Sequence, residues 1–460
     1  MDNTKKLGSE PIGKLLASYS IPAVIAMMVN AIYNVVDRIF IGQYAGEGAL
    51  AGLTIVFPAM MVIFAFAGLI GVGGASLVSI KLGENNKTGA NKVFGNMLGL
   101  ASGTAIFISL LAYLNLDSLL AFFGADAVTM PFASDYMSII LIGIVFQLVS
   151  YSLNGIVRSE GQPILAMVSM LTAAIVNIVL DYVFIAQLGW GVQGAAFATI
   201  IGQFIGFVIL SQYFIRGKAT LKLDRSSFVL DFKLVRQMMS VGFTTFLSTV
   251  GTSAAMLILN RSLITYGDLA AITSMGAINS LFTIFIMPLM GIQQGMQPIV
   301  GYNHGAGKHG RVRSTIKLSI SVGVIFSTIV CILLQVFPET LMSMFLDPSS
   351  ETMNVAVNGL RLFVVGLPLV PITLLGTAYF QSIAESRKAL ILGASRQFLF
   401  LIPITLIIPQ FLGLNGVWLA TPISDIASAF TAGVLLYPVF KKSEVDEGYV
   451  SEVQPLTQAS

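Results

Sequence analysis

The chain carries little charge for its size. Only 10% of its 460 residues are Asp, Glu, Lys or Arg, whereas soluble domains contain about 25%. Hydrophobic residues make up 55% of the sequence, which is more apolar surface than a water-soluble core can hide. The composition therefore excludes a soluble domain and predicts an integral membrane protein surrounded by lipid.

Residues that build metal, redox and hydrolytic centres are scarce. Cys331 is the only cysteine, which excludes an intrachain disulfide and a thiolate metal site. The two histidines, His304 and His309, share one loop without an acidic cluster, and no Gly-x-x-x-x-Gly-Lys-Ser/Thr sequence for ATP occurs. We therefore predict that the chain is not an enzyme and holds no cofactor other than an exchangeable ion.

Long apolar runs, by contrast, are abundant. A membrane-spanning helix needs about 20 mostly apolar residues, and the sequence offers twelve such runs. The predicted fold class is all-α, with twelve transmembrane helices. The predicted spans are about 18–42, 50–80, 94–116, 131–157, 164–186, 192–215, 237–264, 269–302, 314–337, 353–383, 390–411 and 416–440.

Positive charge is confined to alternate connections between these spans. The remaining connections carry acids but no bases. The positive-inside rule then places the basic loops and both termini in the cytoplasm, and the chain in the cell membrane as a multi-pass protein. The basic runs are interpreted as topology signals, so no nucleic-acid partner is predicted.

The sequence divides into two similar halves. Identical residues recur at one constant spacing along the chain, which favours an internal duplication: Gly83 and Gly305, Phe123 and Phe345, Gly194 and Gly416, Thr199 and Thr421. Six spans per half give both halves the same orientation, and such repeats bind substrate between them. The predicted domains are an N-lobe (1–215), a cytoplasmic linker (216–236), a C-lobe (237–440) and a cytoplasmic tail (441–460).

Two acids lie deep in apolar runs of the first half. Asp37 and Asp181 would each cost about 2.5–3.5 kcal/mol to insert as charges, unless a proton, a cation or a water-filled cavity meets them. The corresponding positions of the second half are about Asn260 and Pro403. An ion site is therefore predicted in the N-lobe.

Helix geometry brings further polar groups to the same level. Asp37, Asp181 and Thr199 are expected roughly 8–12 Å below the outer ends of their helices. Asn177 and Ala195 lie four residues before Asp181 and Thr199, hence on the same helix faces. Carboxylate, amide and hydroxyl oxygens suit Na⁺ or a proton and suit Zn²⁺ or copper poorly. The residues named for Na⁺ are Asp37, Asn177, Asp181 and Thr199.

Plainer interpretations of both acids stay open. Asp37 would also be satisfied by pairing with Arg38 or by reaching the outer surface. Asp181 would also fit an ordinary polar contact between helices.

A cavity of adaptable side chains is predicted between the halves. Met and Phe suit promiscuous binding, although each alone is more typical of a lipid-facing or packing residue. Asp425 is a third buried acid with either a cavity role or a structural contact to Arg361 or Arg396. The candidate cavity residues are Tyr33, Asn34, Met60, Phe64, Asn154, Gln203, Gln294 and Asp425.

Four stretches carry a family resemblance that covers nearly all twelve spans. They are Asn34-Val-Val-Asp37 with Gly42, Arg158-Ser-Glu-Gly-Gln-Pro163, Asn177-Ile-Val-Leu-Asp181 followed by Gly194-Ala-Ala-Phe-Ala-Thr199, and Gln294-Gly-Met-Gln-Pro298 with Gly301-Tyr-Asn303. In this order they resemble the multidrug and toxic compound extrusion (MATE) family, closest to its branch of DinF- and MepA-like exporters.

The resemblance implies a V-shaped, two-lobed secondary transporter. Such a protein exports cationic and amphipathic drugs in exchange for H⁺ or Na⁺, and we expect a monomer in contact with membrane lipid. The cation ligands of the branch with an N-lobe site fall on Asp37, Asn177, Asp181, Ala195 and Thr199. Another branch uses acids in spans 7 and 10, which have none here.

One rival function shares the architecture. A lipid-linked oligosaccharide flippase of the same superfamily would need several cations to meet pyrophosphate. Apart from Lys317, at the start of the ninth, the predicted spans contain only Arg38, Arg261, Arg361 and Arg396. The drug exporter is therefore the preferred hypothesis and the flippase the alternative.

Overall fold

The computed structural model describes residues 4–217 and 219–453, and this part of the chain contains helices but no β-strand. Twelve helical segments are long and apolar enough to cross a membrane, which confirms the predicted all-α class. Spans 1 to 12 are Ile12–Ala45, Gly48–Gly83, Lys87–Leu114, Met130–Ser159, Pro163–Gln187, Gly191–Ile215, Phe232–Tyr266, Leu269–Gly305, His309–Val336, Thr352–Ser382, Ser386–Ile407 and Pro409–Lys441. The shorter helices are Thr4–Leu7, Leu116–Phe122, Arg225–Phe228 and Pro338–Met342.

Several spans begin earlier than their apolar runs. Span 1 starts at Ile12 and span 7 at Phe232, a few residues before the apolar runs that begin at 18 and 237. The Asp231 carboxylate fixes the start of span 7 by accepting from the backbone N–H groups of Lys233 and Leu234 at 3.0 and 3.2 Å. Such polar first turns extend beyond the hydrocarbon layer, so a prediction based on apolar residues does not include them. The last helix continues to Val453, and the end of the predicted tail, 454–460, lies outside the described residues.

The linker between the lobes is held against the N-lobe. The Asn96 amide donates to the carbonyl oxygens of Ser227 and Val229 at 3.2 and 3.0 Å. The Glu160 carboxylate accepts from the backbone N–H of Leu221 at 2.6 Å. Asn96 of span 3 and Glu160, the residue that follows span 4, thus satisfy linker backbone groups that would otherwise need water.

The two lobes pack closely on the side of the basic loops. Gly83 lies against the carbonyl of Tyr302, and Gly305 lies against the carbonyl of Ile80, with no room for a Cβ at either glycine. The two contacts mirror each other, as the duplication requires. In span 8 the stretch 289–303 is mostly buried, whereas none of 282–288 is. The lobes are therefore packed together at the basic end.

Candidate ion site in the N-lobe

The two buried acids lie where α-helix gives way to wider π-helical turns. Asp37 is in the last turn of helix Ile12–Phe40, and Asp181 is the last residue of helix Pro163–Asp181. The π-helical segments Ile41–Ala45 and Tyr182–Gln187 follow. Such segments are rare and occur frequently at functional sites.

Neither acid has a basic partner in the described part of the chain. Asp37 is 8% exposed and Asp181 is fully buried. The Oδ1 atom of each has no hydrogen-bond partner among the described residues. Arg38 lies instead over the ring of Phe57, 5.3 Å from its centroid, and forms no ion pair with Asp37. Arg38 lies within electrostatic range of Asp37 but forms no hydrogen-bonded pair with it, so the two buried carboxylates still favour a proton or a cation.

Asn177 links span 5 to span 6. In the orientation that satisfies both of its amide atoms, its nitrogen donates to Asp181 Oδ2 at 3.3 Å and its oxygen accepts from the Thr199 N–H at 3.2 Å. In the opposite orientation its Nδ2 donates to Thr199 Oγ1 at 3.4 Å. Gly202 permits this proximity, because a Cβ there would lie 2.7 Å from the carbonyl oxygen of Ala173.

Asp37 completes the group from span 1. Asp181 lies within electrostatic range of Asp37, and the Tyr33 hydroxyl lies within electrostatic range of both acids. Ala195 is fully buried in the same N-lobe core and shares it with Ile41, just after the Asp37 turn. The structure thus brings Asp37, Asn177, Asp181 and Thr199 into one region, where spans 1, 5 and 6 meet, and Ala195 lies one helical turn before Thr199.

Tyr136 of span 4 belongs to this region and was not predicted. Its hydroxyl interacts with the Thr199 side chain and lies within electrostatic range of Asp37, Tyr33 and Asp181. Tyrosine is frequent near membrane interfaces, so its presence near a helix end gave no distinctive sequence signal.

The predicted cavity residues divide into two groups. Met60 and Gln203 are half-buried, and Phe64 is 39% exposed and packs edge-on against Tyr151 at 5.4 Å between ring centroids. Asn34 is exposed, and its amide donates to the Asn30 carbonyl of its own helix at 2.7 Å. These four side chains, and that of the half-buried Tyr33, are therefore at least partly accessible on the surfaces of their helices.

The other three candidates have structural partners. Asn154 is buried and donates to the Ala166 carbonyl at 3.0 Å, because it packs between spans 4 and 5 rather than facing a cavity. Gln294 accepts from the Arg158 guanidinium. The Asp425 Oδ1 accepts from Arg396 Nε at 2.7 Å, so one of its two expected partners binds it inside the C-lobe.

Comparisons with known proteins agree with this architecture. The MatE family model matches residues 22–183 and 242–407. The multidrug export protein MepA of Staphylococcus haemolyticus is 27% identical over 446 residues, which are 96% of this chain and 97% of that protein. MepA of Staphylococcus aureus strain MSSA476 is 26% identical over 445 residues, again 96% of this chain and 97% of that one.

Solved structures match over nearly the whole chain. A MATE crystal structure in the straight conformation has a TM-score of 0.90 at 26% identity, covering 96% of this chain and 99% of that one. An outward-facing multidrug resistance MATE transporter of the MOP superfamily has a TM-score of 0.89 with the same identity and coverage. The family match extends over both lobes. The chain therefore belongs to the MatE family, and it is a multi-pass membrane transporter rather than an enzyme.

Proposed function

We propose that this protein exports cationic and amphipathic drugs in exchange for H⁺ or Na⁺, and that the ion binds in the N-lobe. The observation that carries the proposal is the pair of buried acids, Asp37 and Asp181, which interact with each other and have no basic partner among the described residues. The Asn177 amide and the Thr199 hydroxyl add neutral oxygens beside them.

Electrostatics explains how such a site couples two fluxes. Two carboxylates that share a buried region favour holding one proton between them, and Na⁺ competes for the deprotonated pair. A drug cation in the adjacent cleft is attracted by the same negative charge. Ion and drug therefore oppose each other's binding, and uptake of the ion favours release of the drug.

The direction of transport follows from the orientation that we propose for the chain. Basic loops on the cytoplasmic side place both termini and the closely packed contact of the lobes at the cytoplasmic face, so the cavity that we propose between the lobes opens to the outside. The ion site, near the outer ends of its helices, then takes up the ion from the external solution. Alternating access requires the closely packed basic-side contact of the lobes to separate in the opposite state.

The drug specificity rests on two supports. Relatives that match over 96% of the chain are multidrug export proteins, and Met60 and Phe64 offer soft, adaptable surface on span 2. The flippase alternative lacks a comparable set of cations. Arg396 is paired with Asp425, and Arg38 lies over the ring of Phe57 near the outer end of span 1, so the two do not form a cluster that would meet pyrophosphate.

Ethidium efflux from proteoliposomes tests the proposal. We expect the wild-type protein to expel ethidium when a Na⁺ or an H⁺ gradient is imposed, and the effective gradient identifies the ion. Asp37→Asn should abolish this response. Asp135→Asn is the matched control, because Asp135 is an exposed acid on span 4, one residue from Tyr136. Wild-type transport by the Asp37 variant, or no response of the wild type to either gradient, would refute the proposal.

A further inference from the structure

The first third of span 1 packs against the C-lobe, although the chain order assigns it to the N-lobe. Leu15, Leu16 and Tyr19 are buried in the hydrophobic core of the C-lobe. Two glycines of span 8 lie against this part of span 1. A Cβ at Gly295 would lie 2.7 Å from the backbone nitrogen of Ser20, and a Cβ at Gly291 would lie 2.7 Å from that of Val24. The backbones of spans 1 and 8 thus approach each other closely.

Three polar side chains of the C-lobe, Asn303, Lys308 and Arg311, bind the segment that precedes span 1. Arg311 donates to the carbonyl oxygens of Leu7 at 3.1 Å and Glu10 at 2.7 Å. Asn303 donates to the Leu7 carbonyl at 2.8 Å, and Lys308 donates to the Gly8 carbonyl at 2.7 Å. The Leu7 side chain is fully buried.

Arg311 orients its neighbour Asn303 as well as binding the segment itself. Its Nε donates to Asn303 Oδ1 at 2.9 Å, which turns the Asn303 amide nitrogen toward the segment. One guanidinium therefore fixes two carbonyls directly and a third contact through its neighbour. Charge-assisted hydrogen bonds of this type are about twice as strong as neutral ones.

The other end of span 1 belongs to the N-lobe. Ile41 is buried in the N-lobe core with Ala195, and Asp37, one turn before it, interacts with Asp181. Residues 7–24, which are the segment before span 1 and its first turns and which we call its foot, therefore lie against the C-lobe, whereas the Asp37 end of span 1 lies in the N-lobe. A change of shape driven at Asp37 reaches the C-lobe only if the foot stays attached.

We propose that Arg311 is a positioning residue for transport: by anchoring the foot of span 1 to the C-lobe, it transmits ion exchange at Asp37 to the movement of the lobes. The proposal rests on the proposed function, in which Asp37 binds the coupling ion. Arg311 touches neither ion nor drug in this arrangement. Its loss is expected to uncouple the two processes while leaving each binding site intact.

The test compares variants that break the anchor from both sides. Arg311→Ala removes the donor, and Gly8→Val disturbs the bound segment, because a Cβ at residue 8 would lie 2.9 Å from Tyr302 Cε1. Lys317→Ala is the control, since Lys317 is an exposed base on the same span. Arg311→Lys keeps the charge with fewer donors and should restore part of the function.

We expect Arg311→Ala and Gly8→Val to lower gradient-driven ethidium efflux roughly tenfold. Ethidium affinity in detergent and the ion-dependent rise in thermal stability should change less than about twofold, a separation that a folding defect would not produce. Spin labels at Lys14 and Lys388, with Cys331 replaced, should give a narrow distance distribution in the wild type and a broad one in Arg311→Ala.

The outcomes are distinguishable. If the wild type does not respond to a gradient, the proposed function fails. If the wild type responds and both anchor variants match it in efflux and in the label distances, the anchor is not part of the coupling. If the variants lose drug binding and stability in parallel with efflux, Arg311 is merely structural, and the inference is overturned.

Discussion

The two lobes treat a buried carboxylate in opposite ways. In the N-lobe, Asp37 and Asp181 interact with each other and lie beside an amide and a hydroxyl, with no basic partner in the described part of the chain. In the C-lobe, Asp425 is 3% exposed and receives a hydrogen-bonded ion pair from Arg396. A carboxylate that already holds an arginine has no need of an ion from solution. An unpaired one does.

The difference shows that two lobes of similar architecture can surround their buried acids differently, with an ion pair in the C-lobe and none among the described residues of the N-lobe site. Both lobes retain a π-helical segment in their fifth helix, Tyr182–Gln187 in one and Ser395–Leu401 in the other. The segment of the C-lobe contains Arg396, which neutralises the local acid, whereas that of the N-lobe follows Asp181 directly. The C-lobe thus holds its buried acid in an ion pair, whereas the N-lobe leaves its acids available for the ion exchange that we propose.

The largest effect on this contrast is expected when the C-lobe acid loses its ion-pair partner. Arg396→Ala leaves the Asp425 carboxylate buried without a partner, so the free energy of unfolding should fall by about 3 kcal/mol. The lower end of the usual range applies because the Arg396 side chain is 23% exposed. Thermal and denaturant unfolding in detergent, followed by tryptophan fluorescence, measures the loss.

A second substitution separates an ion pair from other effects at Arg396. The double variant with Asp425→Asn should recover most of the lost stability, because no charge is then left unpaired. Asp425→Asn alone should lower stability as well, by leaving Arg396 alone. If the three variants destabilise additively, the two side chains do not act as a pair.

The opposite sign is expected at the N-lobe acid. Asp181→Asn removes a fully buried charge that has no counter-charge, so stability should stay level or rise. Gradient-driven efflux should nevertheless fall by roughly 100-fold, since the coupling ion loses half of its charged site. Efflux and unfolding measured on the same preparation decide the matter. A variant that loses stability but keeps its coupling would reverse the contrast between the lobes.

The sequence was sufficient to predict the membrane spans but not how each span packs against the others. Apolar length alone predicts twelve helices, because lipid requires every backbone group to be bonded within the helix. The spacing of four residues places Asn177 and Asp181 on one face of their helix, because an α-helix makes a turn about every 3.6 residues. Asn154 and Tyr136 escape such reasoning, because the rotation of span 4 is set by packing against spans 5 and 6, which no single helix encodes.

A smaller effect is expected where the N-lobe site uses a neutral oxygen. Thr199→Val keeps the shape of the side chain and removes the hydroxyl beside Asn177. Loss of one hydrogen bond near a charged group should weaken ion affinity about tenfold. Ion-dependent thermal stabilisation, titrated for Na⁺ and repeated over a range of pH, measures the affinity. Thr421→Val, at the matching position of the C-lobe, should leave the affinity unchanged, and an equal loss there would show that the effect is general packing.

The smallest effect concerns Tyr136, which reaches the ion site only through Thr199 and the surrounding charge. Tyr136→Phe keeps the ring in the N-lobe core and removes one hydroxyl, so ion affinity should fall about threefold. In the Thr199→Val background the hydroxyl has lost its partner, and the same substitution should have little further effect. The two changes therefore form a double-mutant cycle with a measurable interaction. Additive losses would mean that Tyr136 acts on the carboxylates by a separate route.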